Sequence, residues 1–426
     1  MNFFKFYRRI IPSIIFHYNL AAISINFYVK KLQEIKINSC IVILIMIKLT
    51  EKQKRGLKIT IDRYKKGERY TCIAGYAGTG KSTLVSYIVK ELNFDNNYDE
   101  IAYCCYTGKA SLILQLKGLP ATTAHRLLYK SKELPDGTFL HIPRLTPDNP
   151  NLKIVIVDEV SMLEKEMWSI LMSWKGVYVI CLGDPEQLPP LHEPNGILDN
   201  PHVFLDEIMR QALDNEIIKL SMDIREGKFI PNQYSGKDIQ IAPKSYINEE
   251  ILLSANQVIC GKNKTRFDLN MYMRQAIWKN KYQDLPLQGD KIICLENYCE
   301  YDLINGEIGI INNKPKNKNL PYFENNIIQC NFKTDYSLTK NLNMDKNIFL
   351  TGEPTDYPYW IRLKFDKCNR PLKFDYGYAI TCHKAQGSQW DNIIIYDEYL
   401  GDKEFHRRWL YTAVTRACKK LILFKQ

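Results

Sequence analysis

The 426-residue sequence predicts an α/β protein with two parallel-sheet halves, the first organised around a phosphate-binding loop. Three observations carry this. Short β-branched runs alternate with helix-like segments, two of those runs end in acidic residues, and a glycine-rich string separates the first run from its helix. Strands alternating with helices imply a parallel sheet covered on both faces. Functional residues are then expected at the C-terminal ends of the strands.

The elements follow in order. "YTCIAGY" reads as a strand, "AGTGK" as a loop and "STLVSYIVKEL" as a helix. "EIAYCCYT" and "GKASLILQL" repeat the strand–helix pattern. "LKIVIVDE" and "VYVICLGD" are strands flanking the helical "KEMWSILMSW". Between the second and third strands, "EIAYCCYT" and "LKIVIVDE", the segment "ELPDGTFLHIPRL" carries the Asp136-Gly137 turn signal of a β-hairpin. A second α/β half begins near Asp206, with "ANQVICGKNKTRFDLNMYMRQA" reading as strand, loop and helix. From about Gly289 to Leu372 the chain turns rich in Asn, Pro and aromatics, which predicts a small β-rich insertion. The α/β pattern then resumes through "YAIT", "DNIIIYD", "RRWLYTAVTRA" and "KLILF".

Composition narrows the chemistry. Twelve cysteines are scattered with no C-x-x-C pair, so reduced, buried thiols are expected rather than a zinc site or a disulfide framework. The net charge of +11 is partly local: residues 1–48 hold seven Lys/Arg against Glu34 alone, leaving +5 for the rest. That suits a phosphate-binding groove without specifying one. The same 48 residues contain an apolar run, but Pro12, His17, Asn19 and Asn26 make it a poor membrane helix. They are read as an extension that is spurious, disordered or a targeting segment, translation from Met46 being the simplest account.

"GYAGTGKS", Gly75 to Ser82, fits G-x-x-x-x-G-K-[ST] at every fixed position. Its glycines let successive amides (Tyr76, Ala77, Gly78, Thr79, Gly80) curl toward phosphate oxygens, and the helix behind adds a positive N-terminus. Lys81 would meet the β- and γ-phosphates of ATP, Ser82 would ligate Mg²⁺, and Thr83 follows in the same turn. "IVIVDE" supplies Asp158 for the metal and Glu159 to accept a proton from attacking water. In "GDPEQLPP", Gln187 can bond the γ-phosphate or that water. Transition-state charge asks for arginine, and Arg210 in "IMRQA" and Arg416 in "AVTRA" are the candidates. Both come from the second half, so nucleotide bound between halves would draw them together.

Taken together these segments resemble superfamily 1 helicases, on the 5′-to-3′ branch typified by RecD-like and bacteriophage Dda-like enzymes. The resemblance spans Leu49 to Leu423 through "LTEKQ", "GYAGTGKST", "VDEVSM", "GDPEQLPP", "FLDEIMRQA", "NGEIGII" and "LYTAVTRACKKLIL". It implies two RecA-like motor domains, 49–205 and 206–289 plus 373–426, with ATP in the cleft. It implies a strand-separating pin in a hairpin insertion at about 130–147, and an SH3-like accessory β insertion at 290–372. Gln53 would read the adenine, and Phe139 would be the pin's wedge. Thr107, Lys109, Thr123, His125, Thr381, His383 and Lys384 would contact single-stranded DNA, while Gly387 and Gln389 would face the nucleotide. Gln389 departs from the family, which has glutamate there to hold the ribose; an amide still bonds a hydroxyl.

The expected activity is an ATP-driven DNA helicase moving 5′-to-3′ on single strands, a monomeric motor acting at DNA forks in the cytoplasm or a host's cytoplasm. Single-strand-binding or replication proteins are candidate partners, and no membrane partner is expected. An RNA or RNA–DNA hybrid helicase, or a nucleotide-switched DNA-binding ATPase that does not unwind, remain alternatives at this level. "AITCHKAQGSQWD", Ala379 to Asp391, raises a final question. Cys382 beside His383 suggests nucleophile or metal chemistry, but the surrounding motifs predict a packing cysteine.

Overall fold

The computed structural model describes residues 49–94, 98–133, 139–190, 193–209, 214–298, 301, 303–319, 326–357 and 371–425, with the backbone alone at 131–133 and 139. The chain divides into two compact units, 1–54 and 55–426. Of the first, the described residues open the helix Glu51–Lys65, where Gln53 accepts the Thr50 amide at 3.0 Å. All that follows concerns the second unit.

Its first sheet contains β1 (Tyr70–Gly75), β2 (Ile101–Cys105) and β3 (Ala121–Thr123). The hairpin strands β4 (Tyr129–Glu133) and β5 (Phe139–Pro143) leave that sheet, and β6 (Ile154–Val157), β7 (Tyr178–Gly183) and β8 (Val203–Leu205) return to it. The order is β3-β2-β6-β7-β1-β8, with every pairing parallel. β6 and β7 are buried along their whole length because helices cover both faces. Such strands need apolar side chains on both sides, which is why they read as continuous runs. The order places the C-terminal ends of β1, β7 and β6 next to one another.

The hairpin pairs Glu133 with Phe139, so its loop is 134–138 with Asp136 at the centre. Its pin tip therefore lies outside the described residues. Leu140 and Ile142 share one face of β5 and are both exposed.

The second sheet, β9 (Tyr234–Ser235), β10 (Ile239–Pro243), β11 (Gln257–Cys260) and three later strands, is joined to an antiparallel third sheet. That sheet holds β12 (Lys291–Cys294), β13 (Ile308–Ile311), β14 (Lys316–Lys318), β15 (Ile327–Lys333), β16 (Leu338–Asp345) and β17 (Phe374–Tyr376). It reaches past the expected boundary at 372, because β17 zips onto β12 through Ile292–Tyr376 and Cys294–Phe374. The chain then re-enters the second sheet as β18 (Ala379–Thr381), β19 (Trp390–Tyr396) and β20 (Ala417–Lys425). The order is β18-β11-β19-β20-β10-β9, parallel apart from the β9 edge.

The described cysteines are all free, and all but Cys418 are buried. Among the described residues no helix is long and apolar enough to cross a membrane.

Candidate nucleotide site and strand groove

The loop after β1 folds as its glycines require. Gly78 and Gly80 have φ near +78° and +77°, the left-handed region that β-carbons disfavour. Gly75 is small for a different reason: a Cβ there would lie 2.8 Å from the Leu205 carbonyl and 2.9 Å from Thr79 Oγ1. Thr79 donates to the Tyr76 carbonyl at 2.8 Å, and Lys81 Nζ donates to the Gly75 and Tyr76 carbonyls at 2.6 and 3.0 Å. Ser82 and Thr83 lie in the first turn of the helix Lys81–Glu91.

Asp158 follows β6 directly and is half-buried. Loss of solvent and the neighbouring Glu159 raise its carboxyl to about 6, despite the Glu159 amide, Lys81 and Arg416. Glu159 takes φ +54°, a backbone strain that costs about 1 kcal/mol or more and is stored where function needs it. The strain turns its carboxylate toward the second sheet. Gln187, after β7, is buried with its side-chain amide between two partners; oriented so that both are satisfied, it donates to Glu159 Oε2 at 3.0 Å and accepts from Arg416 Nη2 at 3.1 Å. Arg416 is buried too, 3.8 Å from Glu159 Oε1, with Nε on the Thr412 carbonyl at 3.1 Å. The predicted base, sensor and arginine are thus one network. Arg210 lies outside the described residues.

A half-buried carboxylate and a hydroxyl in a helix's first turn are hard oxygen donors, a chemistry that fits Mg²⁺. Among the described residues no cluster of three or more His, Cys, Asp or Glu could hold a metal ion.

Several residues escaped the sequence reading. The Tyr411 hydroxyl reaches the Ala77 amide and Asp184. Thr412 Oγ1 accepts the Leu188 amide at 2.9 Å, and Gln386 donates to the Leu188 carbonyl at 3.2 Å. The Arg225 guanidinium lies 3.7 Å above the Tyr76 ring, and Arg407 pairs with Glu186 at 2.5 Å. Tyr411, Thr412, Asp184 and Glu186 lie within "LYTAVTRA" and "GDPEQLPP", beside the residues that were singled out, whereas Arg225, Gln386 and Arg407 lie outside both strings.

The predicted strand contacts occupy mixed environments. Thr107 and Thr123 cap short helices, each accepting an amide at 3.3 Å, from Ala110 and Arg126. Their hydroxyl protons still have room to donate. Lys109 lies over the Trp390 ring at 4.4 Å, and burial pulls its amine down to about 8. His125 packs with Tyr106, Tyr129 and His141, and burial lowers its pKa. Lys384 donates to Asn305 at 2.6 Å, and burial lowers the pKa of both it and His383. Thr381 precedes the helix Cys382–Ala385 without capping it. Phe139 opens β5, its side chain outside the described set.

Two expectations about the 379–391 stretch come out differently. Gly387 abuts Thr107, and a Cβ there would meet Thr107 Oγ1 at 2.7 Å. It lines the same crevice as Asp158 and Glu159. Gln389, by contrast, is exposed and receives a long 3.8 Å contact from Cys418 instead of joining the nucleotide network. Cys382 is fully buried with its thiol against the Trp409 carbonyl at 3.6 Å and pushed up to about 12 by burial. That excludes nucleophile chemistry at neutral pH.

Parallel sheets carrying a phosphate loop, an Asp-Glu strand end and an arginine from the opposite sheet define a P-loop NTPase of the two-sheet kind. Residues 48–238 match the model of an AAA domain, and 376–424 that of a UvrD-like helicase C-terminal domain. The resemblance to superfamily 1 helicases is borne out by these two matches and by the relatives that follow. It is 26% identical over 381 residues to the ATP-dependent RecD2 DNA helicase of Deinococcus radiodurans, covering 82% of this chain and 46% of that protein. It is 24% identical over 438 residues to the ATP-dependent DNA helicase dda of Enterobacteria phage T4, covering 86% of this chain and 97% of that one. The chain thus spans just under half of one relative and nearly all of the other. Its fold is shared with Bacteroides Pif1 bound to single-stranded DNA, at TM-score 0.51 and 17% identity over 89% of this chain and 92% of that one.

Proposed function

We propose that this chain is an ATP-dependent DNA helicase that moves 5′-to-3′ on single strands and unwinds duplex at forks. The observation that carries it is the Glu159–Gln187–Arg416 network, which joins the loop ends of the first sheet to the helix–strand junction of the second. A base, a sensor and an arginine from opposite sheets can stand together only when the halves close, so turnover and domain motion become one event. Names of the RecD2 and dda relatives, both ATP-dependent DNA helicases, support the reading.

In the proposed scheme Lys81 leaves the Gly75 and Tyr76 carbonyls for the β- and γ-phosphates, and Gln53 reads the adenine. Glu159 accepts the proton of the attacking water, Gln187 holds that water, and Arg416, with Arg210, neutralises charge on the transferring group. Ser82 and Asp158 would hold Mg²⁺, which supplies charge neutralisation across the β- and γ-oxygens. Residues 49–205 form one motor domain, 206–289 with 377–426 the other, and 290–376, through β17, the accessory sheet. Phe139 is proposed as the hairpin's wedge, and Leu140 and Ile142 leave one face of β5 apolar and exposed. The motor is proposed as a monomer acting in a cytoplasmic compartment.

Paired forks with a 5′ or a 3′ tail test the reading, with wild type and Lys81→Ala. Unwinding of the 5′-tailed fork alone, dependent on ATP and Mg²⁺ and lost with Lys81→Ala, is expected. Unwinding of only the 3′-tailed fork overturns the polarity, and unwinding by Lys81→Ala overturns the motor.

A further inference from the structure

One peptide unit links the phosphate loop to the second sheet. The carbonyl of the 76–77 peptide accepts Lys81 Nζ and Thr79 Oγ1, while its N–H, on the opposite edge of the same plane, donates to the Tyr411 hydroxyl at 3.2 Å. That hydroxyl has a single proton and gives it to Asp184 Oδ2 at 2.6 Å. Asp184 closes β7, is fully buried, and also accepts the Glu186 amide through Oδ1 at 3.0 Å. Its backbone carbonyl accepts the Gln187 amide. Tyr411 therefore holds the loop that carries Lys81 on one side and the turn that carries Gln187 on the other.

The ring belongs to the second half. Tyr411 lies in the helix Lys403–Val414, buried in the core beneath the second sheet. The next residue, Thr412, accepts the Leu188 amide, and its carbonyl holds Arg416 Nε. Three consecutive contacts thus run from one helix end to the first half: Tyr411 to Ala77, Tyr411 to Asp184, and Thr412 to Leu188. Packing accounts for the ring, but not for a hydroxyl with both its donor and its acceptor engaged across the cleft. When Lys81 moves to phosphate, the carbonyl it leaves is the other edge of the peptide that Tyr411 holds.

We propose that Tyr411 is a positioning residue of the nucleotide site, its hydroxyl keeping the 76–77 peptide and Asp184 in one register so that Lys81 and the Gln187–Glu159–Arg416 network reach their working geometry together. This rests on the ATPase reading above. The hydroxyl does not touch the reacting atoms. Its loss should therefore lower turnover while leaving nucleotide affinity nearly intact.

The test compares wild type, Lys81→Ala, Tyr411→Phe and the double variant Tyr411→Phe/Asp184→Asn in the full chain. Tyr411→Phe keeps the ring and should lower DNA-stimulated kcat by about tenfold with KM for ATP within about twofold. The double variant removes the buried carboxylate left without its donor, so recovered turnover there would assign the loss to that charge and overturn the proposal. Hydrogen exchange of the 75–80 segment supplies a readout independent of turnover. The Ala77 amide should exchange faster in Tyr411→Phe, and unchanged exchange, or kcat equal to wild type, overturns the proposal. Wild-type ATPase that is absent, or insensitive to Lys81→Ala, sinks the ATPase reading instead, and the exchange measurement still decides the role of Tyr411.

Discussion

Asp290→Ala should separate the accessory sheet from the second parallel sheet. Asp290 and Arg274 are both fully buried, joined from Nε and Nη2 at 3.0–3.2 Å. Asp290 also accepts Trp278 Nε1 at 2.8 Å, the Leu287 amide at 2.7 Å and the Tyr378 hydroxyl at 2.9 Å. The chain enters the accessory sheet through 287–291 and leaves it through 376–378, so this carboxylate clamps both crossings. Its removal leaves a guanidinium buried without its counter-charge, a cost of about 3–5 kcal/mol. If the second lobe melts as a unit of 150–250 residues, the first thermal transition should fall by roughly 6–20 °C. Arg274→Met should cost less, because the carboxylate keeps three donors, while Arg274's other partners are neutral: the carbonyls of Gln283, Asp284 and Leu285 and the Tyr376 and Tyr282 rings. Calorimetry of both variants, with hydrogen exchange of the 287–294 segment, checks the order. A transition within about 2 °C of wild type for Asp290→Ala, or a larger loss for Arg274→Met, refutes the reasoning.

Glu159→Gln should lower kcat for ATP by about 10²–10⁴-fold while nucleotide still binds, and a loss under tenfold would remove it as general base. Cys382→Ser keeps a donor toward the Trp409 carbonyl, so ATPase should stay within about twofold and native Cys382 should resist thiol alkylation. Lys109, with its amine near 8, carries charge below that pH and loses it above. If it meets the strand, the salt slope of single-strand binding should become shallower by about 0.7 between pH 7 and pH 9, and Lys109→Met should abolish that difference.

Much of this protein could be read from local sequence, because parallel strands and glycine-rich loops obey short-range rules. "IVIV" and "YVICLG" are apolar throughout since both faces are covered, and Gly78 and Gly80 stand where φ must be positive. The accessory sheet was legible only as a change of texture, and its edge was misplaced. β17 is three residues long, and nothing local distinguishes it from the β18 that follows; its pairing with β12 is a contact across about 80 residues. The same limit applies to Tyr411 and Gln386, whose partners lie more than 190 residues away. Gln389 shows the opposite failure. A motif position suggested a direction toward nucleotide, and the side chain lies exposed beside Cys418.

The 379–391 stretch gains its meaning from these long-range contacts. At its start, Lys384 bonds Asn305 of the accessory sheet, and a Cβ on Gly108 would overlap the neighbouring Ile304 side chain. Two residues beyond Lys384, Gln386 bonds the Leu188 carbonyl in the turn that carries Gln187, and Gly387 rests on Thr107. Within four residues the backbone therefore touches the accessory sheet, the sensor turn and the cap of a first-half helix. A segment this short cannot absorb relative motion of those parts by bending, since Ala385 and Cys382 anchor it in the core. Any closure that shifts the Gln187 turn must move Lys384 and its helix with it. Cys382 contributes the anchor, and its burial is what makes the neighbouring polar groups move as a body.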